Sequence, residues 1–168
     1  FNTLLISNEK LGGSSNGNLF KVLREEKGYT YGAYSLVNRR SFDPGIILAY
    51  ASVRSNVTKE SLDTFKEVIS SYGESFDEEE LEKTKSTLIR ENTRQFETNE
   101  DLIGILQNIS TFGLPLDYVD QFQKDVTSMT VETVKKTVSE YYDLSNMIYV
   151  VVGDKQTQYD RLKVEGPG

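Results

Sequence analysis

The order of its periodic segments constrains this chain most: strand-type segments lie near both ends, and a long stretch of helical spacing separates them. Thr30–Ser41 is rich in aromatics and partly alternating, and Ile46–Val53 follows an Asp43-Pro44-Gly45 turn, so the two read as a hairpin. Near the end, Ile148-Tyr149-Val150-Val151-Val152-Gly153-Asp154 reads as a buried-type strand closing in a turn. Strands at both ends with helices between them predict an α+β fold, a largely antiparallel sheet with helices packed on one face. There is no internal repeat and no low-complexity linker, so the reading is one domain over residues 1–168.

Local signals place the helices. Phe1–Lys10 reads as the end of a helix with Leu4, Leu5 and Leu11 on one face, and it runs into a glycine-rich bend over residues 12–17. A short amphipathic helix follows from about Asn18 to Lys27, with Leu19, Phe20 and Leu23 on its apolar side. Gly28 stands where a left-handed residue would end it. Leu62, Phe65, Val68, Ile69 and Tyr72 keep helical spacing behind Thr58, the expected N-cap. Asp77 and Glu80 form a capping-box pair, and Phe76 can staple onto Leu81. That helix runs through Leu88, Ile89, Asn92 and Phe96 and is expected to bend near Thr98-Asn99. A more apolar helix continues through Leu102, Ile103, Leu106, Ile109 and Phe112 and stops at Gly113 and Pro115. Met129-Thr130 gives another staple and cap, opening a helix with Val131, Val134, Val138 and Tyr141 on its apolar face.

Composition narrows the chemistry. The chain has no histidine and no cysteine. That removes Cys/His nucleophilic chemistry, imidazole general-base chemistry and any His- or Cys-ligated metal site, so no metal site and no complete catalytic site is expected on this chain. The lack of cysteine leaves the compartment open. A net charge of −7 and a basic content limited to scattered residues such as Arg39-Arg40 disfavour nucleic acid as a partner. No apolar run approaches the roughly 20 residues that cross a bilayer, so no membrane span is expected. The opening Phe1-Asn2-Thr3, with neither initiator Met nor leader, reads as the start of a piece excised from a larger protein.

Two features invite a functional reading and do not earn it. The bend from Gly12 to Gly17 is followed by Asn18-Leu19, not by the Lys and hydroxyl of a P-loop, and it follows a helix where a dinucleotide loop would follow a strand. It reads as a structural bend. The four acids Asp77–Glu80 point around a helix start instead of converging, and negative charge there suits the macrodipole.

The segment Leu23-Arg24-Glu25-Glu26-Lys27-Gly28-Tyr29-Thr30-Tyr31-Gly32 differs. Arg24 falls in the last turn of a helix and Tyr31 at the start of a strand beyond the reversal, so both can face one space. A guanidinium fork and a phenolic O–H can both donate to a carbonyl oxygen gaining negative charge. Spacing alone leaves the alternative open, with Arg24 paired to the helix C-terminus or to Glu25 or Glu26 and Tyr31 packed in the sheet.

Taken with Leu11-Gly12-Gly13 and Leu19-Phe20, that segment resembles the C-terminal-type, non-zinc-binding domain of the insulinase/pitrilysin zinc peptidases, to which mitochondrial processing peptidase belongs. The pattern is close to L-G-G-x-x-x-S-R-L-x-x-x-L-R-E-x-x-G-x-x-Y, and the resemblance extends through Leu114-Pro115 and Met129-Thr130 to Val152-Gly153-Asp154. It implies that zinc sits in another domain, on the same or a partner polypeptide, and that the two halves close around an unstructured peptide substrate. It implies that Arg24 and Tyr31 bind the peptide backbone near the scissile bond, and that Gly28 is the structural glycine of the motif. Gly17-Asn18 replaces the usual Ser-Arg, so one basic residue is missing. The resemblance also implies that the domain's first strand precedes Phe1, which leaves a neighbouring strand with an open edge. Inactive members of this kind act as structural or peptide-capturing subunits, and that is the alternative function.

Overall fold

The structure, a computed structural model, describes residues 1–39 and 45–163. It opens with helix α1 (Asn2–Asn8), which widens into a π-turn (Glu9–Gly13). Helix α2 (Asn18–Phe20) likewise continues as a π-turn (Lys21–Glu26). Strands β1 (Thr30–Asn38) and β2 (Ile46–Val53) follow, then α3 (Thr58–Ser71), α4 (Glu78–Arg94), α5 (Asn99–Phe112), α6 (Tyr118–Ser128), α7 (Val131–Tyr141) and α8 (Lys155–Leu162).

The hairpin is antiparallel, with Tyr34 opposite Tyr50 and Leu36 opposite Leu48. Its two faces have different fates, as a period of two requires. Ala33, Ile47, Ala49 and Ala51 turn into the helical core, while Ile46, Leu48 and Tyr50 are exposed on the other side. The α+β architecture with helices on one sheet face therefore holds. The Asp43-Pro44 part of the expected turn lies outside the described residues.

The glycine bend packs backbone on backbone. A Cβ on Gly12 would stand 2.8 Å from the Ser35 nitrogen, and one on Gly17 would stand 2.6 Å from the Gly12 Cα. Bare backbone there lets the first π-turn lie against β1, where the Asn8 side-chain amide also donates to the Ser35 carbonyl at 3.1 Å. Ile6 and Leu11 are fully buried on this front edge.

The helical layer is set by its caps. Asp77 accepts the Glu80 N–H at 2.8 Å, and Phe76 and Leu81 are both fully buried, so cap and staple form together. Thr98 caps α5 by accepting the Asp101 N–H, and Thr130 caps α7 by accepting that of Thr133. Gly113, at φ 61°, ends α5 in the left-handed conformation.

Three expectations need correction, and one apolar helix face stays exposed. Thr58 is not an N-cap: a 3₁₀ turn (Ser55–Val57) precedes α3, and the Thr58 hydroxyl donates back to the Ser55 carbonyl. Tyr141 is exposed, whereas Tyr142, one residue past the end of α7, turns inward to meet Tyr72 edge-on at 5.4 Å between ring centroids. The α5 helix forms as expected, and its apolar residues Leu102, Ile103 and Leu106 are exposed. Finally, Ile148–Val152 forms no strand: among the described residues β1 and β2 pair only with each other, and the segment pairs with neither. The chain instead turns at Gly153 and enters α8, which Asp154 caps by accepting the Gln156 N–H.

Candidate functional site

The reversal between α2 and β1 is built by the chain itself. As α2 widens, the Lys27 N–H bonds to the Val22 carbonyl at 3.0 Å. The Gly28 and Tyr29 N–H groups then return to the carbonyls of Arg24 and Leu23 at 3.1 and 2.9 Å. Gly28 takes φ 62°, a conformation that costs a side-chain-bearing residue but not glycine. The Arg54 guanidinium, arriving from the end of β2, donates to the Gly28 carbonyl at 3.1 Å and locks the turn from outside.

This turn brings Arg24 and Tyr31 together. The Arg24 Nη1 donates to the main-chain carbonyl of Tyr31, and the guanidinium lies 5.0 Å from the centre of the Phe20 ring. Arg24 pairs with neither Glu25 nor Glu26. The fork is thus oriented by one hydrogen bond and one ring, and its remaining donors have no protein partner among the described residues.

Tyr31 is placed by a β-bulge. The register slips between Thr30 and Ala33, so Tyr31 and Gly32 together oppose Ser52. Thr30 fills the gap: its hydroxyl donates to the Ser52 carbonyl at 2.6 Å and accepts the Gly32 N–H at 3.1 Å. A bulge re-aims a side chain relative to the regular pleat, and the Tyr31 side chain is 92% exposed. It does not pack in the sheet.

Beyond Arg24, aromatic contacts continue across the outer sheet face. Phe20 meets Tyr34 at 5.8 Å between ring centroids, and Tyr34 meets Tyr50 at 6.3 Å. The Tyr34 ring lies over Gly32, where a Cβ would come within 2.7 Å of it. Tyr34 and Tyr50 therefore belong to the face turned away from the helical core. The sequence leaves Tyr34 and Tyr50 open between a peptide chamber and the sheet core, whereas Arg54 and the bulge were absent from that reading. Only the glycine at position 32 hinted at them, as glycine in a strand often marks a bulge.

The acidic cluster has structural work. Glu80 pairs with Lys10 at 2.8 Å and with Lys83 at 3.3 Å, and Glu79 also pairs with Lys83. The hydrogen bond from Lys10 holds the Glu80 carboxyl below its ordinary pKa. Among the described residues, no group of three or more His, Cys, Asp or Glu is placed to hold a metal ion, and the donor set of this chain does not fit zinc.

Comparison with known proteins bears on what this site belongs to. Residues 2–88, a span that includes Arg24, Gly28 and Tyr31, match the family model described as the peptidase M16 inactive domain.

The chain belongs to the peptidase M16 inactive-domain family.

Among solved structures, the M16 chain is similar to a peptidase M16 inactive domain from Pseudomonas fluorescens, at 27% identity and a TM-score of 0.69, over 83% of this chain and 33% of that one. It shares its fold with the inactive peptidase domain of a proposed zinc protease from Bordetella parapertussis, at 17% identity and a TM-score of 0.73, over 87% and 79% of the two chains. A protease from Helicobacter pylori gives 16% identity and a TM-score of 0.73, over 84% and 34%. The chain thus spans about a third of the length of the first of these. No curated protein matches it.

Proposed function

We infer that this M16 domain is the substrate-gripping, non-zinc-binding part of a zinc endopeptidase that acts on unstructured peptides. In this reading Arg24 and Tyr31 hold the peptide backbone near the scissile bond, and a zinc-binding domain elsewhere in the protein, or on a partner, supplies the metal-activated water.

The observation that carries the reading is the joint presentation of these two side chains. Arg24 is oriented by the Tyr31 carbonyl, and Tyr31 is turned outward by a bulge. Neither arrangement serves the core. An exposed tyrosine held by a distorted strand, beside a guanidinium with unused donors, suits a carbonyl oxygen that gains negative charge during acyl transfer. The outer sheet face adjoining it, with Tyr34, Tyr50 and Leu48, gives an extended peptide an apolar floor.

The test is cleavage of a quenched-fluorescent unstructured peptide by the full-length protein. Cleavage abolished by a chelator and restored by zinc supports a zinc peptidase. A parent that binds the peptide, holds no zinc and cuts nothing is instead a peptide-capturing or structural subunit.

A further inference from the structure

The reversal that carries Arg24 and Tyr31 is fixed on two sides by different parts of the chain. On the helix side its N–H groups are satisfied locally, those of Gly28 and Tyr29 returning to the Arg24 and Leu23 carbonyls. On the strand side the carbonyls of Gly28 and Tyr29 both go to one residue. The Arg54 guanidinium donates to the Gly28 carbonyl at 3.1 Å, and the Arg54 main-chain N–H donates to the Tyr29 carbonyl at 3.3 Å. Arg54 stands just past the end of β2, in phase with its exposed residues Leu48, Tyr50 and Ser52. It is held in turn from behind. Its own carbonyl accepts the Val57 N–H at 3.0 Å, and the Asn56 carbonyl of the same 3₁₀ turn accepts the Arg161 Nη1 at 3.3 Å. Arg161, on α8, also pairs with Glu60 of α3. The clamp therefore stands on a turn that two helices hold in place.

Stability does not account for this arrangement. Gly28 and Arg54 are both exposed, so water can replace either partner of the bond, and its net worth to folding is small. What the clamp fixes is direction: with the N–H groups bound to the helix and the carbonyls bound to Arg54, the angle at which the strand leaves Gly28 is set from both sides. We propose that Arg54 is a positioning residue for the Arg24–Tyr31 pair, acting through the Gly28 and Tyr29 carbonyls and not on the peptide itself. The inference rests on the reading that this pair grips a peptide. Displacing a group that positions substrate by about 1 Å costs on the order of 10²-fold in rate, so loss of the clamp is read in kcat far more than in stability.

The experiment uses the zinc-loaded full-length protein and a quenched-fluorescent unstructured peptide. It compares Arg54→Ala, Arg54→Lys, Arg24→Ala and the double variant Arg24→Ala/Arg54→Ala. Arg54→Ala is expected to lower kcat by roughly tenfold or more while KM and the unfolding midpoint stay nearly unchanged. Arg54→Lys, whose ammonium can still donate to the Gly28 carbonyl, is expected to recover most of that loss. In the double variant Arg54→Ala should cost far less than it does alone, because one of the groups it places is gone. Full activity in Arg54→Ala would overturn the proposal. So would a loss that multiplies undiminished onto Arg24→Ala or that sits in KM, either of which makes Arg54 an independent contact of the peptide. An unfolding midpoint that falls in step with activity would make it a structural brace and equally overturn it. A wild-type protein that binds the peptide without cutting it fails the cleavage reading alone. The same four variants are then compared by fluorescence anisotropy, where non-additive losses in Kd support the proposal and additive ones overturn it. A wild-type protein that neither binds nor cuts the peptide overturns both.

Discussion

The guanidinium of Arg24 donates to the main-chain carbonyl of Tyr31, seven residues along the chain and across a reversal that Gly28 makes possible. This one bond ties the end of a helix to the start of a strand, and it leaves the outward side of both residues open.

The reversal depends on the backbone of Gly28 and on no steric squeeze, because a Cβ there would meet nothing within 4 Å. Gly28→Ala is expected to lower the unfolding free energy by about 1–2 kcal/mol, the cost of a left-handed conformation. Gly28→Asn should lose less, since asparagine tolerates that region better. Urea denaturation of the three proteins checks the order, and equal stability of all three would contradict it.

Thr30 holds the bulge that turns Tyr31 outward. Thr30→Val keeps the shape and removes the hydroxyl, leaving the Ser52 carbonyl and the Gly32 N–H without that partner. A loss of about 1 kcal/mol is expected from urea titration. Amide exchange at Gly32 should rise by more than exchange in the middle of β1. Unchanged exchange at Gly32 would mean the bulge stands without its threonine.

The front and the helical layer are linked by Lys10 and Glu80, at 2.8 Å. The hydrogen bond from Lys10 lowers the Glu80 pKa in the folded state. Its contribution is therefore complete above the unfolded-state pKa and is lost as pH falls through the folded one. Glu80→Gln should thus be less stable than the unmodified chain near neutral pH. The gap should close as pH drops through the glutamate range. Thermal unfolding across pH 3–7 would read this, and a gap that stays constant with pH would exclude the pair as its source.

What the sequence could reveal follows from the range of each interaction. Asp77, Thr130, Gly28 and Gly113 were readable because a cap or a left-handed stop is decided within a few residues of itself. The fold class was readable for the same reason, as periodicity is local. Ile148–Val152 was misread because a strand exists only with a partner, and its residue types say nothing of whether one is offered. Tyr141 and Tyr142 exchanged roles because they stand three and four residues after Val138, and helical spacing alone fits either one to the buried face. Arg24 and Tyr31 were legible as a motif. The bulge that aims Tyr31 was not, because register belongs to two strands at once and shows in neither alone.

The central claim is that Arg24 and Tyr31 act on a peptide carbonyl in the transition state of cleavage, and kcat/KM of the zinc-loaded full-length protein tests it most directly. Tyr31→Phe should leave the unfolding midpoint nearly unchanged, and Arg24→Ala, which loses the bond to the Tyr31 carbonyl, should lower it modestly while the protein stays folded at the assay temperature. Each is expected to reduce kcat/KM on the order of 10²-fold, chiefly through kcat. Full activity in both variants would contradict that role and return the pair to the surface of the fold.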